Sequence, residues 1–237
     1  MNYNLEKFQK GLDELQITLS EEQINRFMKY YEMLIEKNKV MNLTAITEFD
    51  EVIEKHFLDS ISLIKVKNLN QKLSVLDLGT GAGFPGIPLK IAFPELEVTL
   101  VDSLNKRILF LQEVIAELNL KNVSATHERA EIIANNPNFR EKFDLCVSRA
   151  VANLSTLSEY CLPFVKVGGQ FISYKSGECD EEVSAADHAI TLVGGKLNRI
   201  EKFSLGESGR AFVMIDKISQ TKKKYPRKAG TPSKEPL

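Results

Sequence analysis

Asp77, Gly79, Gly81 and Gly83 stand at alternate positions in DLGTGAGFPG, residues 77–86. Glycines so spaced behind an apolar run let backbone amides approach a ligand and take positive φ. Two chemistries fit them. Gly81, Gly83 and Gly86 spell G-x-G-x-x-G, the dinucleotide fingerprint of hydride-transfer enzymes such as NAD-dependent oxidoreductases. Gly79, Gly81 and Gly83 with Asp77 in front spell a loop suited to S-adenosylmethionine. The acid favours the second. A dinucleotide enzyme seats its pyrophosphate against this helix N-terminus, where the Asp77 carboxylate would oppose two like charges. The same carboxylate suits an ammonium and a sulfonium. A plain tight strand-to-helix turn is the structural alternative.

Three more candidates end apolar runs or open the loops after them. Asp102 lies 19 residues beyond Gly83, where either cofactor would meet an acid on its ribose hydroxyls. Glu131, in HERAEI, is placed to read an adenine edge, or else is a solvated acid at a helix start. Arg149 closes FDLCVSR, where a guanidinium can orient the substrate or the methionine carboxylate; a surface salt bridge is the alternative. It is the one catalytic candidate, and no general base is expected. No Asn-Pro-Pro-Tyr or Asp-Pro-Pro-Tyr run is present to hold an exocyclic amine, and no Pro-Cys pair to attack a pyrimidine. An acceptor with an exposed lone pair, such as guanine N7, needs neither and can react by proximity and alignment.

The charge is uneven. From Lys217 onward seven Lys/Arg face only Glu235, a net of +6, which leaves −7 for residues 1–216. Lys222, Lys223, Lys224, Arg227 and Lys228 surround Tyr225, so cations for phosphates are interleaved with an aromatic for an unpaired base. A solvated tail is the alternative. Cys146, Cys161 and Cys179 lack C-x-x-C spacing, so buried free thiols are expected rather than a disulfide framework or a metal site. No apolar stretch is long enough to span a bilayer, and the charged N-terminus is unlike a signal peptide, so a cytoplasmic protein is expected, with no membrane partner.

These residues must be held by an ordered scaffold. Residues 1–70 read as a helical cap: Leu12, Leu15 and Leu19 recur at helical spacing, Ser20 and Gln23 form a capping-box pattern, and Phe27, Tyr30, Tyr31 and Leu34 extend the apolar face. A further helix is predicted from Glu48 to Ile64, with Val52, Ile53, Phe57, Ile61 and Leu63 or Ile64 inward. Residues 71–219 alternate short apolar runs with helical stretches, the pattern of a parallel sheet covered on both faces. KLNRIEKFSL and RAFVMIDKI are joined only by GESG, too short for a crossover, so they must pair antiparallel. The expected fold is therefore an α/β doubly wound Rossmann-like sheet, mostly parallel, with a C-terminal antiparallel strand pair. That ending is the methyltransferase pattern; nicotinamide folds end in parallel strands. Residues 220–237 form the basic tail.

The motifs NLTAIT, HFLDS, VLDLGTGAGFPGIPLKIAFP, VDSLNKRILFL, SRAVANL, YKSG and KYPRKAGTPSKEPL follow one another in an order that resembles the glucose-inhibited division protein B family, bacterial methyltransferases of small-subunit ribosomal RNA. The resemblance runs from about Asn42 to the C-terminus. It implies S-adenosylmethionine as cofactor, transfer to N7 of a guanine in the 530 loop of 16S ribosomal RNA, and the RNA or the 30S subunit, including an assembly intermediate, as partner of a monomer. It also implies cofactor contacts from Gly79, Phe84, Ala130, Glu131 and Arg149, with Phe84 acting by packing. His56, Asp59 and Ser60 of HFLDS would lie beside the cleft or seat the cap. Two other readings stand beside it: an NAD-dependent oxidoreductase, and an RNA-binding assembly factor without activity.

Overall fold

Ser20 and Gln23 cap each other. The Ser20 hydroxyl accepts from the Gln23 amide at 3.2 Å, and the Gln23 side chain accepts from the Ser20 amide at 2.9 Å. This reciprocal pair fixes where the long helix begins. The Gln23 side-chain amide then donates to the carbonyls of Ile91 and Ala92, so the cap also fixes the helix to the body of the fold. The computed structural model describes residues 3–237.

The N-terminal helices are α1 (Glu6–Glu14), α2 (Glu21–Met41), α3 (Phe49–Val52) and α4 (Asp59–Ile61), with a π-helical segment, Ile53–Leu58, between the last two and a 3-10 turn, Ser62–Lys65, after them. Leu19 lies outside α1, because Gln16 at φ +56° ends the helix after Leu15. The stretch predicted as one regular helix from Glu48 to Ile64 is thus wound at three pitches. Its apolar positions face inward as expected: Val52, Ile53, Phe57, Ile61 and Leu63 are fully buried.

Then follow β1 (Ser74–Leu78), α5 (Gly86–Ala92), β2 (Glu97–Asp102), α6 (Asn105–Glu117), β3 (Val123–His127), α7 (Ala130–Ile133), β4 (Phe143–Arg149), α8 (Leu154–Cys161), β5 (Val165–Ser176), α9 (Asp180–Leu192), β6 (Gly195–Leu205), β7 (Ser208–Lys217) and α10 (Thr231–Lys234). The sheet order is β3-β2-β1-β4-β5-β7-β6. β1 to β5 are parallel, while β7 pairs antiparallel with both β5 and β6. The doubly wound sheet with an antiparallel C-terminal pair is the expected one.

Side chains alternate across each strand, so each face of the sheet has its own core. Val75, Leu145, Val147 and Ile172 face one core together with Phe8, Phe27, Tyr30 and Phe57 of the N-terminal helices. The cap therefore shares a continuous core with the sheet. Leu76, Cys146 and Phe171 face the other, which takes in α8, α9 and Tyr225 of the C-terminal segment. All three cysteines are buried free thiols. Among the described residues no helix is long and apolar enough to cross a membrane.

Candidate cofactor and acceptor site

The sheet order reverses between β1 and β4, and in open α/β sheets ligands sit beyond the carboxyl ends of strands at such a switch point. The glycine loop leaves β1 there. Gly79, Gly81 and Gly83 all have positive φ, at +72°, +61° and +107°. Only Gly81 faces open space: a Cβ on it would meet nothing within 4 Å, whereas one on Gly83 would strike Ile87 and the Tyr30 hydroxyl, and one on Gly86 would strike Leu100 and Asp77. The three glycines thus differ in task. Gly81 leaves room for a ligand against the backbone, and Gly83 and Gly86 permit close packing beneath it.

Asp77 is fully buried and lines neither of the cavities at this site. Its Oδ2 accepts from the Thr80 hydroxyl at 2.7 Å and the Gly86 amide at 2.8 Å, so the side chain orders the loop from below. Its Oδ1 has no hydrogen-bond partner among the described residues. Burial raises its pKa to about 6 despite those two donors and Arg149.

Two cavities open beside the loop. The smaller, about 290 Å³, is lined by Asp102, Ala130, Glu131, Val151 and Tyr160; the larger, about 540 Å³, by Thr44, His56, Asp59, Phe84, Arg149 and Arg210; Gly79, Arg107 and Ala150 belong to both. Asp102 ends β2 at the mouth of the smaller one. Its Oδ1 accepts from the Leu104 amide and its Oδ2 from the Gly81 amide, both at 2.9 Å, and Arg107 lies 3.2 Å from Oδ2. Glu131 is 5% exposed. Burial acts upward on its pKa, but the Gly230 amide, donating at 2.8 Å, and Arg129 outweigh it and hold the carboxyl below its usual range.

In the larger cavity Arg149 donates to Asp59 Oδ2 at 2.5 Å and to the Lys55 carbonyl at 3.2 Å, and its guanidinium lies 5.3 Å from the centre of the Phe84 ring. Arg210, at the start of β7, donates to the other Asp59 oxygen at 2.8 Å. The π-helical segment carries His56 and delivers Asp59 to this pair. His56 stacks on Phe84 with ring centres 4.4 Å apart, and its Nε2 lies 2.8 Å from the Thr44 hydroxyl. Burial, reinforced by Arg149, lowers the His56 pKa to about 3, so the imidazole is neutral. Ser60 turns away from the cavity: its hydroxyl donates to the His56 carbonyl, and its own carbonyl accepts from Tyr174.

The basic tail folds back on the body. Tyr225 is 5% exposed, packed in the second core, and so has no free face on which a base could stack. Arg227 is committed to the wholly buried Glu159, with contacts of 2.7–3.1 Å from its guanidinium and 2.6 Å from its amide. Lys222, Lys223, Lys224 and Lys228 remain exposed. Burial of the tyrosine ring and pairing with Glu159 drive this docking; the ring is visible in the tail, but the acid that takes Arg227 lies 68 residues earlier in the chain.

Sequence reasoning missed Tyr30, Arg107, Tyr160 and Arg210. Tyr30 donates to the Ala82 carbonyl at 2.5 Å from the cap. Tyr30, Tyr160 and Arg210 reach the site from elements distant in the chain and no spacing marks them, whereas Arg107 lies five residues beyond Asp102, in the NKR that follows it.

The sheet with its antiparallel pair, the acid-led glycine loop and Asp102 after β2 define the S-adenosylmethionine-dependent methyltransferase class. Solved structures agree on the fold: a SAM-dependent methyltransferase from Aquifex aeolicus superposes with a TM-score of 0.52 at 21% identity, covering 70% of this chain and 92% of that one. M. jannaschii TYW2, solved in complex with AdoMet, gives 0.56 at 15% identity over 73% and 80%. The rRNA small subunit methyltransferase G (GidB) family matches residues 23–228, and the chain belongs to that family. Proteins named ribosomal RNA small subunit methyltransferase G are 55% identical over 232 residues in Lachnoclostridium phytofermentans, covering 97% of this chain and 96% of that one, and 49% identical over 236 residues in Bacillus subtilis (strain 168), covering 99% of each. The hydride-transfer register of the glycines is set aside.

The residues fit this cofactor. The open face of Gly81 is a cradle that any side chain would fill, while Asp77, expected to meet the cationic end of the cofactor, is instead buried beneath the loop and holds its shape.

Proposed function

We propose that the chain methylates N7 of a guanine in 16S ribosomal RNA, the 530-loop guanine implied by the family resemblance, on the RNA or on the small subunit or its assembly intermediate in the cytoplasm. The observation that carries this reading is the junction of the two cavities at Gly79, Arg107 and Ala150. Asp102 would hold the ribose of the cofactor, and Ala130 and Glu131 its adenine, in the smaller cavity, which joins the larger one at Gly79, Arg107 and Ala150. S-adenosylmethionine supplies there an electrophilic methyl group on a sulfonium.

The protein's own residues orient the acceptor and exclude water. Asp59 is the one carboxylate among the described residues lining the larger cavity, and two arginines bind it, one on each oxygen. His56 is neutral, with Nε2 against Thr44 and Nδ1 facing Arg149 at 3.5 Å. Among the described residues lining this cavity, Asp59 is taken up by the two arginines and burial makes His56 a weak base, which suits a ring nitrogen whose lone pair is already available. Phe84 and His56 offer an aromatic wall for a base, and Arg149 and Arg210 offer donors. Lys222, Lys223, Lys224 and Lys228 hold the RNA backbone outside the site.

Mapping the methylated nucleotide tests this. Purified protein with labelled cofactor and small subunits from a strain lacking the gene should give one 7-methylguanosine in the 530 loop. Label on an exocyclic amine, a ribose or a pyrimidine would refute the N7 assignment.

A further inference from the structure

The C-terminal segment reaches the nucleoside cavity from outside. The Gly230 amide donates to Glu131 Oε1 at 2.8 Å, and Tyr160 lies within reach of both Glu131 and Ser233. Glu131 and Tyr160 are walls of the smaller cavity. Behind this contact the segment is fastened at three places. Arg227 grips buried Glu159 on α8, the Thr156 hydroxyl of α8 donates to the Pro232 carbonyl at 3.0 Å, and Arg140 donates to the carbonyls of Thr221 and Tyr225 at 2.8 and 3.1 Å. α8 supplies Tyr160, Glu159 and Thr156, so one helix lines the cavity and anchors the segment.

We propose that residues 221–237 are a latch for the nucleoside subsite, docking on α8 to hold Glu131 and Tyr160 in position for the adenosine half of the cofactor. The proposal rests on placing that half in the smaller cavity. Arg227, Glu159 and Gly230 are positioning residues that act through Glu131. Gly230 holds the Glu131 oxygen from one side at φ +85°, a conformation that a glycine adopts without strain. Linkage makes the effect reciprocal. A ligand that binds the docked form more tightly must suppress undocking by the same factor.

Two measurements on the full chain test the latch. The first uses Glu159→Gln with Arg227→Gln, which removes both charges together and leaves neither buried alone. Binding of S-adenosylhomocysteine and of 5′-methylthioadenosine should weaken by the same factor, about five- to tenfold, since the two share only the adenosine half. A folded double variant within twofold of wild type for both ligands overturns the proposal, as does a loss confined to S-adenosylhomocysteine. The second needs no variant. S-adenosylhomocysteine should slow hydrogen exchange at the Gly230 and Arg227 amides by that factor or more, beyond any change at the edge strand β6. Unchanged exchange at those amides overturns the latch even if the double variant does not fold. Asp102→Asn reports on the nucleoside placement separately, and unaltered affinity in it overturns that placement and the latch with it.

Discussion

Arg149, at the end of β4, donates to Asp59 Oδ2 at 2.5 Å, and Asp59 stands at the first position of α4, 90 residues earlier in the chain. The contact joins the N-terminal helices to the sheet at the point where the larger cavity opens. It makes Arg149 both a brace and a wall of that cavity. Because Arg210 also holds Asp59, removing Arg149 does not leave the carboxylate without a cation.

Arg149→Ala should therefore fold, losing about 1.5–3 kcal/mol of stability as a charged hydrogen bond is removed. Methyl transfer at saturating cofactor should fall further, on the order of 10²-fold, because the acceptor loses its alignment. Denaturant unfolding and turnover on the same preparation separate the two effects. Stability loss with wild-type turnover would reduce Arg149 to a brace.

Tyr30 grips the glycine loop from the cap through its bond to the Ala82 carbonyl. Tyr30→Phe keeps the ring, stacked against Phe57 at 5.6 Å, and strands a buried carbonyl at a cost of about 1–3 kcal/mol. If the cap sets the loop, part of that cost appears as weaker S-adenosylhomocysteine binding. Calorimetry showing full affinity at a lowered melting temperature would confine Tyr30 to the core.

Asp77 and His56 give stability opposite slopes against pH. The folded-state pKa of Asp77, about 6, lies above its ordinary 3.8, so its contribution is most favourable below pH 3.8 and is lost as pH rises through 6. Above that the buried charge costs about 3 kcal/mol at 1.36 kcal/mol per pKa unit. His56, at about 3 against an ordinary 6.5, contributes stability above pH 6.5 that is lost as pH falls toward 3. Without ligand, Asp77→Asn should gain stability at neutral pH and none below pH 4, while His56→Gln should flatten the loss on the acid side. Unfolding midpoints across that range decide both. An Asp77→Asn gain that does not vary with pH would mean that the carboxyl is not titrating.

Lys222, Lys223, Lys224 and Lys228 are the exposed cations of the KKKYPRK run, Lys224 lying 5.0 Å over the Tyr225 ring. Neutralising all four should lower the logarithmic salt slope of RNA binding by up to about three units, at roughly 0.7 per contact with single strands. S-adenosylhomocysteine binding should be unchanged, since none of these four side chains lines either cavity. Fluorescence anisotropy over a salt series reads the slope. An intact slope would return the tail to a purely structural role.

The sequence determined whatever depends on local pattern. Alternation between runs and helices dictated the doubly wound sheet, the GESG link forced an antiparallel pair, and Ser20 with Gln23 marked a helix start, because each signal acts within a few residues along the chain. The acid-led glycine loop likewise named its cofactor class. Tertiary structure decided the assignments that depend on distant partners. Asp77 is buried because β1 is enclosed between β2 and β4, and Tyr225 because it joins the second core. Arg227 turned to Glu159 rather than outward because the pairing offsets the cost of burying that acid. The helix carrying HFLDS widened to a π turn, placing His56 on Phe84 and Asp59 between two arginines, although its apolar spacing reads as an ordinary helix. Charge pairing and burial are settled between segments scores of residues apart, and no local period records them.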